Sequence, residues 1–258
     1  MRSIVVVPTY QEAENIVGLL QAVRRSVPDA EILVLDDNSP DGTGKLAEET
    51  AEELGSITVI HRPIKDGLGA AYREGFAWAL ARPFDVIVQM DCDFSHDPVV
   101  VADLIAAVKG PEATAHAAIG SRYVPGGSTP NWPLHRRMLS RYGNRYTAAV
   151  LSIGVHDVTS GFRAYQAAAL RAAHPETTRS SGYAFMSELA RRLDRQGYTF
   201  REIPITFLDR TYGSSKMSVS IMVESLTLVT VWGLRERLRS ARGSLARLTR
   251  KFSSSSSA

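Results

Sequence analysis

The sequence predicts an α/β protein built on a single, mostly parallel β-sheet that is flanked by helices. Three observations lead to this fold class. Short β-branched runs alternate with amphipathic helical patterns through the first half of the chain. The composition, 44% hydrophobic and 22% charged residues, is that of a globular protein. The 258 residues are enough to bury a sizeable core as one α/β domain.

The predicted elements of the first half follow one another in the order βαβα. Strands are predicted at residues 4–7, 31–35, 57–61, 85–90 and 117–120, and helices near residues 13–26, 45–54, 69–81 and 98–109. Residues 67–69 (GLG) precede the third helix, but they lack the third glycine and the lysine of phosphate-binding loops. They therefore predict a turn into a helix.

The second half has a different pattern. Residues 125–133 (PGGSTPNWP) form a glycine- and proline-rich loop that is longer than a tight connection needs, which is typical of lids and binding loops. The elements predicted after it are a helix at 134–153, a polar turn at 157–162, a helix at 183–196 and a strand at 202–207.

The C-terminal segment is predicted to be an amphipathic helix over residues 217–240, followed by a basic, serine-rich and disordered tail over residues 241–258. The helix either faces a membrane or a membrane-protein partner, or packs on the protein's own core. Residues 235–251 carry seven Lys and Arg against one Glu, which suits an anionic lipid surface. Nucleic acid is the less favoured ligand, because basic and aromatic residues are not interleaved elsewhere.

Two features bear on the compartment. The chain has one cysteine, Cys92, so no disulfide forms within it, which fits a reducing compartment. The apolar run at residues 4–7 is too short for a signal-peptide core, and no uninterrupted apolar stretch reaches the ~18–20 residues that span a bilayer. We expect a cytoplasmic protein that is peripheral at the cytoplasmic face of the membrane.

Polar clusters follow three of the predicted strands directly. These clusters are residues 8–12 (PTYQE), 36–42 (DDNSPDG) and 91–93 (DCD). Because ligands of open parallel sheets bind beyond the carboxyl ends of the strands, we expect the three clusters to converge on one edge of the sheet.

Asp91 and Asp93 are the candidate metal ligands. Residues i and i+2 of an extended chain point to the same side, so both carboxylates can face one site. Two carboxylates repel each other unless a cation lies between them, and a hard divalent ion would also bind a diphosphate. The alternative is a pair of solvated aspartates that cap the next helix, and His96 is interpreted as part of that helix start.

The other two clusters offer groups for a nucleotide. Asp37 is placed to accept hydrogen bonds from a base or ribose, Tyr10 to stack on a base and Glu12 to bind a sugar hydroxyl. The alternatives are local: residues 38–42 have strong turn chemistry, and Thr9 with Glu12 matches a helix capping box.

Several basic residues suit a phosphate-rich chemistry, although each also fits a solvated surface group. Arg136 and Ser140 lie four apart on a predicted helix and hence on one face. Arginine favours bidentate phosphate binding and lysine supplies a point charge. The candidates are Arg122, Arg136, Arg210 and Lys216.

Taken together, the motifs resemble the polyprenol (dolichol) phosphate mannose synthases of glycosyltransferase family 2. The matching runs are PTYQEAEN at 8–15, DDNSPDGT at 36–43, MDCDFSH at 90–96, GSRY at 120–123, DVTSGFR at 157–163 and DRTYGSSK at 209–216. The first three runs are shared across family 2, and the last two point to the mannose synthase branch. The resemblance extends in order from about residue 4 to residue 216.

The resemblance implies a GT-A fold, with residues 1–216 as the catalytic domain, and a mannosyl transfer from GDP-mannose to a polyprenyl phosphate with Mg²⁺ or Mn²⁺ bound by Asp91 and Asp93. It implies that Arg122, Arg136 and Ser140 hold the lipid phosphate. Arg137, the neighbouring residue, is the alternative to Arg136 in this match. The implied catalytic residues are Asp91, Asp93, Arg122, Arg210 and Lys216. The implied nucleotide-sugar contacts are Pro8, Tyr10, Glu12, Leu35, Asp37, Asp91, Cys92, Asp93, Arg122, Arg210 and Lys216.

Two residues depart from the family pattern: Gln11 replaces a common Asn and Cys92 a common Ala. Neither change removes a carboxylate of the acidic pair. Two other functions are weighed against mannosyl transfer: a family 2 transferase that uses a donor such as UDP-glucose on the same lipid phosphate, and a non-catalytic nucleotide-sugar binding module. The intact acidic pair disfavours the binding module.

Overall fold

The computed structural model describes residues 1–110, 113–180, 182–210 and 225–235. Seven strands form one sheet in these ranges, and helices cover both of its faces. The strands are β1 (Ser3–Thr9), β2 (Glu31–Asp36), β3 (Ile57–His61), β4 (Val86–Gln89), β5 (Ala117–Ser121), β6 (Arg163–Gln166) and β7 (Phe200–Pro204). The α-helices are α1 (Ile16–Ser26), α2 (Thr43–Leu54), α3 (Leu68–Leu80), α4 (Val101–Val108), α5 (Leu134–Leu151), α6 (Ala167–Ala172) and α7 (Gly182–Arg195).

The sheet has the strand order β3-β2-β1-β4-β6-β5-β7. Strand β6 pairs antiparallel with β4 and with β5, and the other four pairings are parallel. The predicted fold class, a single mostly parallel sheet flanked by helices, is therefore confirmed. Strand order reverses beside β1, which has β2 on one side and β4 on the other, and this is where open α/β sheets bind ligands.

The alternation of side chains along β1 divides the core into two layers. Val5 and Val7 pack on the face covered by α1 and α4, whereas Ile4 and Val6 pack on the face covered by α3 and α7. The two layers fix the sheet rigidly from both sides. The polar loops at its carboxyl edge are consequently held in place by buried strands.

The C-terminal helix is described over residues 225–235, and we refer to it as helix 225–235. Its Val229 is buried with Leu151 and Ile153, and the hydroxyl groups of Tyr146 and Thr230 lie 2.7 Å apart. This part of the helix thus contacts α5 and the protein's own core. The remaining residues of the predicted helix, and the tail at 241–258, lie outside the described residues, so the predicted membrane or partner contact stays a prediction.

Two predicted elements differ from the structure. The capping box at Thr9 is wrong: α1 begins at Ile16, Thr9 belongs to β1, and its hydroxyl donates to Asp36 Oδ1 at 3.1 Å. Strand β7 was predicted at 202–207 but ends at Pro204, because the chain then turns to form a bridge from Thr206 to Ser128. Within the described ranges, none of the helices combines the length and the apolar character that crossing a bilayer requires.

Candidate active site

A cavity of about 340 Å³ lies beyond the carboxyl ends of β4 and β5, beside the turn that precedes β6. Helix α5 and helix 225–235 form its outer wall. Six of its lining residues were singled out from the sequence, namely Asp91, Asp93, Arg122, Arg136, Ser140 and Arg210. The structure therefore brings together residues that are separated by up to about half of the chain.

The acidic pair lies at one end of this cavity. Asp91 Oδ1 accepts a hydrogen bond from the Tyr72 hydroxyl at 3.2 Å. Asp93 Oδ1 accepts one from the backbone N–H of Ser95 at 3.0 Å, and its Oδ2 lies 2.8 Å from Arg210 Nε. Burial raises the pKa of Asp91 above its ordinary value, and the nearby charge of Asp93 acts in the same direction.

The donor set fits a hard divalent cation. Two carboxylates supply oxygen ligands, and among the residues that the structure describes no third acidic, His or Cys side chain completes a cluster with them. Mg²⁺ and Mn²⁺ suit such a site, because they take their other ligands from water and from the oxygens of a bound diphosphate.

Arg122 forms a two-point ion pair in the cavity wall. It follows β5 directly, and its Nε and Nη2 donate to the two carboxylate oxygens of Asp157, each at 2.7 Å. Its backbone N–H donates to Asp157 Oδ2 at 3.0 Å, and its Nη2 also contacts Thr159 Oγ1 at 2.9 Å. Arg122 is held in one orientation by a carboxylate that is fully buried.

Arg136 and Ser140 lie on the cavity face of α5, as their spacing predicted. Arg136 Nη1 donates to Asp209 Oδ1 at 2.8 Å, and its guanidinium lies 4.1 Å from the centroid of the Trp132 ring. Ser140 Oγ accepts a hydrogen bond from the Tyr123 hydroxyl at 2.6 Å. Trp132 comes from the long loop at 125–133, so one residue of that predicted binding loop does line the cavity.

His96 has a different place from the one expected. Asp97 caps the turn that begins at Pro98, accepting from the N–H of Val99, while the His96 ring is buried in the cavity wall. The ring stacks on Phe162 with centroids 4.9 Å apart, and its Nδ1 has no hydrogen-bond partner among the described residues. Burial lowers the pKa of His96, so the ring is neutral at pH 7.

The candidate nucleotide residues of the first two clusters, Tyr10, Glu12 and Asp37, lie at the same sheet edge beyond β1 and β2 and do not line this cavity. The Lys65 ammonium lies 3.7 Å from the centroid of the Tyr10 ring, and Glu12 Oε2 accepts from Asn15 Nδ2 at 2.8 Å. Asp37 pairs with the guanidinium of Arg62, and burial raises the Asp37 pKa. Pro8 belongs to β1 and lies opposite Leu35 of β2.

Two of the implied nucleotide contacts have buried side chains. Leu35 is fully buried in the core layer of α3, and Cys92 is buried in the layer of α1 and α4. Any contact of either residue with a nucleotide would therefore go through its main chain. Lys216 lies outside the described residues.

The sequence arguments assigned no role to three residues that shape the site. Arg62, at the end of β3, holds Asp37 and donates from Nε to Glu74 at 2.9 Å. Asp157 holds Arg122, as described above. Arg163 is fully buried and donates to the carbonyl oxygens of Ser160, Met186 and Val158, which fixes the turn before β6. Only the motif at 157–163 signalled the last two.

Backbone conformation is unusual after three strands of the site. Gln11, Asn38 and Phe94 have φ values of 55°, 54° and 56°, in the left-handed region that non-glycine residues rarely adopt. They follow β1, β2 and β4 at the same edge of the sheet. Such residues cluster at functional sites, and Asn tolerates this conformation better than Gln, which gives a physical reason for the Asn that is common at position 11.

Comparisons with known proteins agree with this geometry. Residues 4–173 match the family model of glycosyl transferase family 2. The chain is 45% identical to the polyprenol monophosphomannose synthase of Mycolicibacterium smegmatis, over 94% of this chain and 91% of the relative. It is 44% identical to the undecaprenyl-phosphate mannosyltransferase of Micrococcus luteus, over 95% and 99% of the two chains.

Solved structures support the fold. The glucosyl-3-phosphoglycerate synthase of Mycobacterium tuberculosis, in complex with Mn²⁺, UDP and glucosyl-3-phosphoglycerate, superposes with a TM-score of 0.63 at 19% identity, covering 92% of this chain and 79% of that one. The predicted GT-A fold is thereby confirmed. With its family model matching 170 residues and two curated relatives matching almost the whole chain, this protein is a glycosyltransferase and belongs to glycosyl transferase family 2.

Proposed function

We propose that the protein transfers mannose from GDP-mannose to a polyprenyl monophosphate at a membrane surface, with Mg²⁺ or Mn²⁺ held by Asp91 and Asp93. One observation carries this proposal: a single cavity combines the acidic pair and several arginines with an apolar outer wall. The names of the two relatives, which are about 45% identical, support mannose as the sugar and a polyprenyl phosphate as the acceptor.

The charges of the cavity match the charges of the proposed substrates. A metal ion at the acidic pair would neutralise the diphosphate of the donor as it leaves. Arg122 and Arg136 offer guanidinium groups to the acceptor phosphate, and Ser140 offers a hydroxyl. Arg210 lies beside Asp93, so its guanidinium would face the diphosphate that a metal ion at the acidic pair would hold. Preorganised cations of this kind stabilise charge that develops in the transition state.

The acceptor needs no general base in this arrangement. The second pKa of a phosphate monoester is near 6, so the acceptor is mostly a dianion at pH 7 and is already a nucleophile. The neutral, stacked ring of His96 is consistent with a structural role beside the reacting groups. In-line attack on the α-linked donor gives a β-linked mannosyl phosphate, and an α-linked product would contradict this mechanism.

The outer surface of α5 supports a location at the membrane. Large apolar side chains are exposed there, and the helix contains no Asp or Glu. These exposed residues are Leu134, Met138, Leu139, Tyr142 and Tyr146, interleaved with Arg137, Arg141 and Arg145. A basic and apolar helix face is typical of proteins that lie on an anionic bilayer. This face supports contact with a membrane. The cytoplasmic side of that membrane is part of the proposal.

The test is transfer of labelled sugar from GDP-mannose into an organic-extractable polyprenyl phosphate, with Mg²⁺ or Mn²⁺ and with chelator. We expect metal-dependent transfer, and a loss on the order of 10²–10³-fold in Asp93→Asn, as for other groups that stabilise transition-state charge. Asp103→Asn, an exposed change on α4, is the matched control and should keep full activity.

Other outcomes would replace part of the proposal. Transfer from UDP-glucose but not from GDP-mannose would keep the acceptor and replace the donor. Nucleotide binding without transfer from any donor would favour a non-catalytic nucleotide-sugar binding module.

A further inference from the structure

The cavity has an apolar end as well as a charged one. Leu139 of α5 contributes to this end, together with Leu226 and Val229 of helix 225–235. The charged end holds the acidic pair and the arginines. A ligand that spans the whole cavity would therefore carry phosphate at one end and hydrocarbon at the other.

Gly143 lies in the middle of the cavity face of α5. The residues of this helix that line the cavity are Arg136, Leu139, Ser140, Gly143, Asn144 and Thr147, which follow the spacing of one helix face. A glycine inside a helix costs about 1 kcal/mol relative to alanine. Its presence at position 143 therefore needs an explanation.

Packing against the described residues does not supply that explanation. A Cβ built on Gly143 meets no atom of the described residues within 4 Å. Glycines with a packing role differ clearly: a Cβ on Gly75 would lie 2.6 Å from Val6 Cγ1, and one on Gly233 would lie 2.4 Å from Val150 Cγ1. None of the described side chains fills the space beside Gly143.

We propose that Gly143 is a specificity-determining residue for the acceptor: its missing side chain leaves the passage for the hydrocarbon chain between α5 and helix 225–235. The identity of the acceptor rests on the proposed function. Gly143 lies about 4.5 Å further along the axis of α5 than Ser140, at 1.5 Å per residue. A phosphate at Arg136 and Ser140 thus places the first isoprenyl units beside Gly143, Leu226 and Val229.

The route continues to the surface of the protein. Leu139 is 52% exposed and Tyr142 is 58% exposed, on the turn of α5 that contains Gly143. Hydrocarbon that passes Gly143 would meet these side chains next rather than water alone. The passage thereby connects the charged end of the cavity with the apolar outer face of α5.

The test is binding of two isoprenyl phosphates that share the phosphate and differ in chain length. Geranylgeranyl phosphate and isopentenyl phosphate are titrated into the full chain by calorimetry, below their critical micelle concentrations and without donor. We expect the wild type to bind the longer ligand more tightly. Gly143→Leu should weaken binding of the longer ligand at least about fivefold, which corresponds to the low end of the cost of overpacking, and binding of the shorter ligand less than about twofold.

Two further variants separate a blocked passage from a damaged fold. Gly143→Ala adds one methyl group that the described space accommodates, and it should keep the preference for the longer ligand. Ala149→Leu places the same leucine side chain at an exposed position of α5 that does not line the cavity, and it should also keep that preference.

The inference is overturned if Gly143→Leu retains the wild-type preference for the longer ligand, or if the wild type shows no such preference. Equal weakening of both ligands in Gly143→Leu would also overturn it, because the phosphate site rather than the passage would then be affected. Binding is measured without donor, so absence of mannosyl transfer would count against the proposed function and not against the passage.

Discussion

At the scale of single residues, Arg122 depends on one buried partner. Both oxygens of Asp157 bind its guanidinium, and Asp157 is fully buried. Asp157 is itself held, because its backbone N–H donates to Glu202 Oε1 at 3.0 Å. Under the proposed function Asp157 is therefore a positioning residue, which would act on the substrate phosphates through the orientation of Arg122.

Removal of the Asp157 carboxylate should lower the stability of the fold. In Asp157→Ala the buried guanidinium of Arg122 loses its counter-charge, which typically costs about 3–5 kcal/mol. We expect a lower midpoint of thermal unfolding, and a higher KM for the polyprenyl phosphate in whatever protein remains folded. Calorimetry and steady-state kinetics measure the two effects separately.

A double variant distinguishes positioning from stability. Arg122→Met with Asp157→Val replaces the ion pair by apolar groups of roughly similar volume, which is often neutral or stabilising. We expect this variant to regain most of the stability that Asp157→Ala loses and to remain inactive. Recovery of activity along with stability would show that Arg122 contributes nothing to the reaction.

The charged residues of the candidate site were visible in the sequence, but their buried partners were not. Asp91 and Asp93 follow a strand directly, so period-two geometry was enough to place them together. Asp37 and Arg62 are 25 residues apart, and Arg122 and Asp157 are 35 apart. Pairs at such separations depend on which strands are neighbours, and no local pattern encodes that.

At the scale of elements, the parallel part of the sheet followed from the sequence and strand β6 did not. Strands β1 to β4 are apolar runs between clear helical patterns. Strand β6 has four residues, Arg163–Gln166, and its Arg163 is buried by hydrogen bonds to three carbonyl oxygens. The polar composition of this segment does not predict a strand. The segment is a strand because β4 and β5 pair with it on either side.

Helix 225–235 is attached to α5 by a close contact at Gly233. A Cβ there would lie 2.4 Å from Val150 Cγ1 and 2.9 Å from the Val150 carbonyl oxygen, so Gly233→Ala forces the two helices apart. We expect destabilisation of about 1–3 kcal/mol, as for other overpacked sites, and a lower unfolding midpoint in calorimetry. We also expect weaker binding of geranylgeranyl phosphate, because Leu226 and Val229 move with the helix.

The matched control is Gly154→Ala. Gly154 lies just after α5, and a Cβ on it meets no described atom within 4 Å. The control should leave the unfolding midpoint and the binding of geranylgeranyl phosphate unchanged. An unchanged midpoint in Gly233→Ala would mean that helix 225–235 contributes little to the fold.

At the scale of the whole molecule, the charged and apolar surfaces fall into a consistent order. The sheet edge holds the nucleotide residues beyond β1 and β2 and the acidic pair beyond β4. The arginines come next, on β5 and α5, and the exposed face of α5 lies outermost. Under the proposed function, a donor from solution and an acceptor from a bilayer would therefore approach the same cavity from different sides.

This order predicts how the protein binds lipid vesicles. Each basic residue near an anionic surface contributes about 1 kcal/mol, so replacing Arg137, Arg141 and Arg145 by Gln should lower partitioning to phosphatidylglycerol vesicles by about 100-fold at low salt. The effect should shrink as ionic strength rises, because salt screens exposed charges. Flotation of the full chain with vesicles measures both.

The control removes the same charge from other faces of the molecule. Arg25→Gln, Lys45→Gln and Arg171→Gln lie on α1, α2 and α6, and all three side chains are exposed. If α5 faces the bilayer, this triple variant partitions to phosphatidylglycerol vesicles nearly as the wild type does. On phosphatidylcholine vesicles, both triple variants should partition as the wild type does. Equal losses in the two triple variants would instead indicate attraction by net charge alone. No loss in either would leave residues outside α5 as the membrane contact.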